Sequence, residues 1–234
     1  MASIKAYLNE TRRPIYSAML VLPFFLIYHT GTFFLKTTFV NGADAMIMRL
    51  LSALSVHSIF ASALVLLGCF VVWQIRTRSS WKVDSGKLIL LYLESLAFAL
   101  FLFMIFGWLL VHFSRPAAGG RVQGVLEKLV LYCGAGIYEE LVFRAFLLGA
   151  LLLLFGRLLK FGKNAAAIWA TVVGALLFSL FHYVGAGSDH FALSSFAQRA
   201  LGGLYFSVLF VTRGFGVTAA SHALYDILVG LILA

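Results

Sequence analysis

Seven residues in the C-terminal half of this chain are of types that do chemistry, and they fall into three short groups. Glu139, Glu140 and Arg144 stand together, Phe178 and His182 are four apart, and so are His222 and Asp226. Each group lies inside an otherwise apolar run. An ionisable side chain at membrane depth costs about 3 kcal/mol or more even on permissive scales, so its default reading is functional. Spacing of four puts Glu140 and Arg144 on one helix face, where they can pair, while Glu139 is turned by about 100°. Arg144 can then offset one carboxylate and leave the other free as a general base for a water molecule. The bland alternative is a buried ion pair that only locks helices together. His182 shares a face with Phe178, and His222 lies one turn from Asp226; either histidine alone reads as a satisfied polar residue. With a glutamate pair on a third helix, they complete a set suited to hydrolysis.

The elements that must hold these groups are membrane helices. The chain is 62% hydrophobic and 12% charged, with a mean hydropathy of +0.98. Soluble domains are about half apolar and a quarter charged, so that class is excluded. Apolar runs of spanning length are expected at about 15–35, 57–75, 88–113, 122–155, 165–183, 191–212 and from 217 onward, with Pro23 kinking the first. Residues 43–54 read as an interfacial helix. The fold class is therefore an all-α polytopic membrane bundle of about seven transmembrane helices. The run 122–155 would be about 50 Å long as one helix against a core of about 30 Å, so it must tilt, protrude or break. Residues 1–121 carry the first three spans without a recognisable motif, and 122–234 carry all three chemical groups.

The net charge of +9 comes from short clusters between apolar runs, with no basic stripe for nucleic acid. Eleven Lys and Arg fall in loops on one side against five on the other, which puts the N-terminus in the cytoplasm; the chain is expected in the cell (inner) membrane. No small-residue cleavage site follows the first apolar run, so that run is expected to stay as a span. Cys69 and Cys133 sit in apolar segments and make no disulfide framework or metal spacing. A proton-coupled transporter could also use intramembrane Glu and His, but no inverted repeat is visible. A non-catalytic role in bacteriocin immunity or membrane assembly would not need the full set of groups.

The ordered series Glu139-Glu140-x-x-x-Arg144, Phe178-x-x-x-His182 and His222-x-x-x-Asp226 resembles the three motifs of the CAAX-protease and bacteriocin-processing (CPBP, or Abi) intramembrane proteases, which include the type II CAAX prenyl endopeptidases. The resemblance covers about residues 122–234. It implies an endopeptidase cutting near the C-terminus of a membrane-associated, in some members prenylated, protein or peptide. It further implies Glu139 as the base that activates water, His182 as its holder, and His222 with Asp226 at the oxyanion. Glu140 and Arg144 would support this set, and Phe178 would pack beside His182. Where the prenyl endopeptidases have asparagine, this chain has Asp226. An ionised aspartate repels an oxyanion, so Asp226 is expected to orient His222 and stabilise its imidazolium.

A zinc reading uses His182, His222 and Glu139 as three ligands with an open fourth position. The chain lacks the His-Glu-x-x-His arrangement that sets two ligands on one helix, and the resemblance implies a metal-free mechanism. Depth is the remaining difficulty. Counted from the preceding basic residues, His182 lies about 25 Å along its helix and His222 about 13 Å. Tilt, a deep loop start or a broken sixth span could bring them level, and a break of that last kind is expected between about 184 and 216. Glu94, His29, His57, His112 and Arg199 match no motif.

Overall fold

The computed structural model describes residues 2–35, 40–56, 58, 60–113, 124–184 and 189–232, and the side chains of all these except 2, 3 and 107–113. His57, the 115–121 loop, the 185–188 turn and the His112 side chain lie outside the described residues. What is described is helical, with no strand among the described residues. The order is α1 (Ala2–Thr11), α2 (Pro14–Leu35), α3 (Gly42–Ala53), α4 (Ala61–Thr77), α5 (Ser85–Phe113), α6 (Val125–Glu139), a π-helical turn (Glu140–Leu148), α7 (Gly149–Leu153), a second π turn (Leu154–Leu158), α8 (Lys163–Phe181), α9 (Leu193–Arg213) and α10 (Phe215–Ile232). The protein is a polytopic membrane helix bundle. All seven expected segments form helices. Among the described residues, five are long and apolar enough to cross a membrane: Pro14–Leu35, Ser85–Phe106, Val125–Leu158, Lys163–Phe181 and Phe215–Ile232. Of the other two expected spans, α4 is apolar but only 17 residues long, and α9 is diluted by Ser194, Ser195, Gln198, Arg199 and Thr212.

Helix α2 shows how the bundle sorts its faces. Tyr16, Leu20, Val21, Phe24 and Tyr28 follow helical spacing and are buried, while Leu22, Leu26, Ile27, Phe33 and Phe34 point outward. An outward apolar belt of this kind is surplus in water and suited to lipid. Pro23 lies within α2 without ending it. The long run 125–158 also does not break; it continues through both π turns as one helical rod.

Helix α10 occupies the centre, packed against α2, α5, α6 and α9. Gly136 permits this: a Cβ there would lie 2.5 Å from the Ala223 nitrogen and 2.6 Å from the Ala219 carbonyl oxygen. Backbones of α6 and α10 therefore touch, as small residues allow in membranes. The break expected in the sixth span is not found: α9 is unbroken from Leu193 to Arg213. Gly214, at φ +86°, divides α9 from α10 in a conformation that favours glycine.

The segment read as an interfacial helix forms as α3 but does not lie loose on the surface. It packs against α4 and α6, with Asp44 buried and accepting a hydrogen bond from the Tyr28 hydroxyl at 2.5 Å. At the other end of the bundle, Arg12 bonds the Val211 carbonyl, Arg13 bonds the Ser80 and Lys82 carbonyls, and Lys87 pairs with Glu10.

Candidate active site

The run Glu139–Arg144 is buried at all six positions, because α6 and the π turn after it are enclosed by α2, α3, α8, α9 and α10. A π turn widens the helix by one residue per hydrogen-bonded ring and recurs at functional sites. Here it begins at Glu140 and carries Arg144. Glu140 is fully buried and pairs with Arg144 at 2.9 Å, the i,i+4 contact expected from spacing. The guanidinium is held on its faces as well, 4.4 Å from the Phe178 ring centre and 5.6 Å from that of Phe206. One of its nitrogens reaches the Gly203 carbonyl at 3.4 Å.

The same Glu140 oxygen accepts from Nδ1 of His222 at 2.7 Å. A carboxylate bonded to a guanidinium has no proton to give, so Nδ1 is the donor. That fixes the ring and turns Nε2 toward the other two acids. Nε2 lies 4.0 Å from Oε2 of Glu139 and 3.6 Å from Oδ2 of Asp226. Phe206 stacks on the imidazole with ring centres 4.4 Å apart.

His182 closes α8 as its C-cap residue, and its Nδ1 contacts the Phe178 carbonyl at 3.0 Å. The Phe178 ring is 5.1 Å from the His182 ring and 6.3 Å from the His222 ring. Depth therefore does not separate the two imidazoles: both stand beside one phenylalanine. His182 is only half-buried and makes no ion pair with a carboxylate among the described residues. Glu139, Glu140, Arg144, Phe178, His222 and Asp226 form the connected cluster, with His182 at its edge. Among the described residues, no three His, Cys, Asp or Glu side chains converge as metal ligands would.

Three contributors had no signal in the motifs. Phe206 sandwiches both Arg144 and His222, yet one more phenylalanine among 23 is invisible in sequence. Asn41 donates its side-chain amide to Oε1 of Glu139 at 2.9 Å. His29 bonds the Tyr138 hydroxyl at 2.7 Å, next to the glutamate pair. Glu94 and Arg199 lie elsewhere. Glu94 pairs with Arg213 and accepts from Tyr7, and Arg199 pairs with Asp189 at 2.5 Å.

Fold and site together define a class: an integral membrane helix bundle enclosing a carboxylate–histidine centre with an arginine partner. Residues 121–228 match the family model described as Rce1-like, type II CAAX prenyl endopeptidase Rce1-like. Residues 121–228 thus carry a domain similar to the CAAX/CPBP-family intramembrane proteases. No curated protein and no solved structure matches the chain.

Proposed function

We propose that the chain hydrolyses a peptide bond near the C-terminus of a membrane-associated protein or peptide, using a water activated by Glu139. The observation that carries this reading is the 4.0 Å gap between Glu139 Oε2 and His222 Nε2. It is too long for a direct hydrogen bond and suits one water bonded to each at about 2.8 Å. In this scheme the water gives a proton to Oε2 as its oxygen attacks the carbonyl carbon. His222, as imidazolium, donates from Nε2 to the oxyanion that forms. Collapse breaks the C–N bond, and the proton held on Glu139 passes to the departing amine.

The remaining residues position these two. Glu140 takes the orienting role for His222, supported by its 2.7 Å bond, and Arg144 pairs with the same Glu140 oxygen at 2.9 Å. Asp226, at 3.6 Å from Nε2, offsets the imidazolium charge. His182, donating Nδ1 to the Phe178 carbonyl, keeps Nε2 as an acceptor for the attacking water. An apolar groove lined by Leu66, Phe70, Leu141, Phe146 and Phe215 suits an apolar substrate tail, although none of Glu139, Glu140, His182, His222 and Asp226 lines it. The cytoplasmic N-terminus and cell-membrane location belong to the same proposal, supported by the convergence of Arg12, Arg13 and Lys87 at one end.

The test uses purified full chain in nanodiscs with an internally quenched peptide bearing a farnesylated CAAX tail. It is paired with comparison of membrane-protein C-termini in cells expressing wild type or Glu139→Gln. Loss of cleavage with an unchanged melting curve is expected for Glu139→Gln. Retained cleavage would overturn the assignment of the base.

A further inference from the structure

Asn41 lies outside the matched domain, in the connection between α2 and α3. We infer that Asn41 is a positioning residue for hydrolysis, holding one oxygen of Glu139 so that the other faces the attacking water. This inference rests on Glu139 being the base.

Three contacts fix Asn41. Its backbone N–H donates to the Tyr28 hydroxyl at 3.3 Å. Its side-chain oxygen caps α3 by accepting from the Ala43 N–H at 2.9 Å. Its side-chain amide then has one direction left, and it donates to Glu139 Oε1 at 2.9 Å. Tyr28 is itself anchored, because it donates to buried Asp44 at 2.5 Å. The amide thus reaches Glu139 from a frame that the N-terminal helices supply.

The division of oxygens follows. Oε1 is engaged by Asn41, and Oε2 is the oxygen that faces His222 Nε2 at 4.0 Å. Without the amide, the carboxylate is free to turn about its last bond and present either oxygen at any angle. Orientation errors near 1 Å in a reacting group cost about 10²-fold in rate. The location also fits the mouth of the site. A Cβ at the neighbouring Gly42 would meet the Phe181 ring at 3.3 Å, so the start of α3 abuts the turn that presents His182.

The two jobs of Asn41 separate by substitution. Asn41→Asp and Asn41→Ser keep an oxygen that can cap α3; Asn41→Asp has no donor for Glu139, and the serine is too short to reach it. Asn41→Ala removes both. Each variant is assayed as full chain in nanodiscs, using the farnesylated CAAX peptide, and its unfolding temperature is measured beside wild type. The serine variant is expected to melt as wild type does while kcat falls 10- to 100-fold, with KM within about twofold; the aspartate, which sets a second carboxylate against Glu139, is expected to lose rate and some melting temperature. The alanine variant is expected to lose rate and melting temperature together. Tyr28→Phe, which frees the Asn41 backbone without touching its amide, is expected to lower kcat by less. Wild-type kcat in both Asn41→Asp and Asn41→Ser would show that Asn41 only caps α3, and the inference falls. If Glu139→Gln cleaves normally, the base assignment falls instead, so the two failures are distinguishable. If the peptide is not cut by wild type, the same comparison is read on uncut C-termini in cells.

Discussion

Arg144 offers the sharpest test of how this site is held in the membrane. Its side chain is 1% exposed and Glu140 is 0% exposed. Replacing Arg144 with methionine keeps much of the volume, and the flexible thioether can still lie between Phe178 and Phe206. What is lost is charge. Breaking a buried pair by removing one partner costs about 3–5 kcal/mol, because the other charge stays uncompensated. His222 still serves Glu140, so the lower end applies, about 3 kcal/mol. Two aromatic faces lose a desolvated cation, adding about 1–2 kcal/mol. Arg144→Met should therefore destabilise by about 4–5 kcal/mol, a large share of the about 5–15 kcal/mol that holds most folds. Glu140→Gln leaves the guanidinium unpaired and should cost about 3–5 kcal/mol by the same reasoning. The double variant buries a neutral pair, so the two losses should not add. A coupling of about 2–3 kcal/mol is expected from the cycle. The assay is reversible unfolding in mixed micelles by graded SDS, followed by tryptophan fluorescence. Simple additivity, or a cost under about 1 kcal/mol for Arg144→Met, would refute the claim that this pair is a buried, mutually dependent unit.

Other outcomes follow from geometry already described. Gly136→Ala puts a methyl 2.5 Å from the Ala223 nitrogen, so α6 and α10 must separate. We expect about 2 kcal/mol or more of destabilisation by the cost of overpacking and a parallel loss of cleavage, measured by the same SDS titration and peptide assay. Hydrolysis by Glu139 and a free water needs no metal, so cleavage should survive exhaustive chelation, with metal content of the purified chain measured alongside. Activity that disappears on chelation and returns with zinc would sink the scheme.

Sequence made the apolar helices and the three polar groups legible for simple reasons. Long hydrophobic runs have few alternatives in a membrane, and a glutamate pair inside one stands out whether it serves as an ion pair or as a catalyst. The i,i+4 pairing of Glu140 with Arg144 was readable because both partners share one helix. Partnerships between helices were not. Glu140 was assigned to Arg144 alone, whereas one of its oxygens serves both Arg144 and His222, 82 residues away. Nothing in the sequence singled out Asn41, because nothing local says that α3 will be pressed against α6. The depth difficulty came from measuring each helix from its own basic end. Phe178 settles it by touching both imidazoles.

The pairing of Glu140 with Arg144 inside one helix also has a consequence for biosynthesis. His222 emerges from the ribosome 82 residues after Glu140, about 4–16 s later at the usual ~5–20 residues per second. For that interval the membrane holds a glutamate whose eventual histidine partner does not yet exist. An arginine one turn away neutralises it from the moment the segment enters the bilayer. Helix α10 then arrives among neighbours already in place and delivers the imidazole. The candidate site is thus assembled by its last described helix, and in a half-made chain the carboxylate–histidine contact does not yet exist.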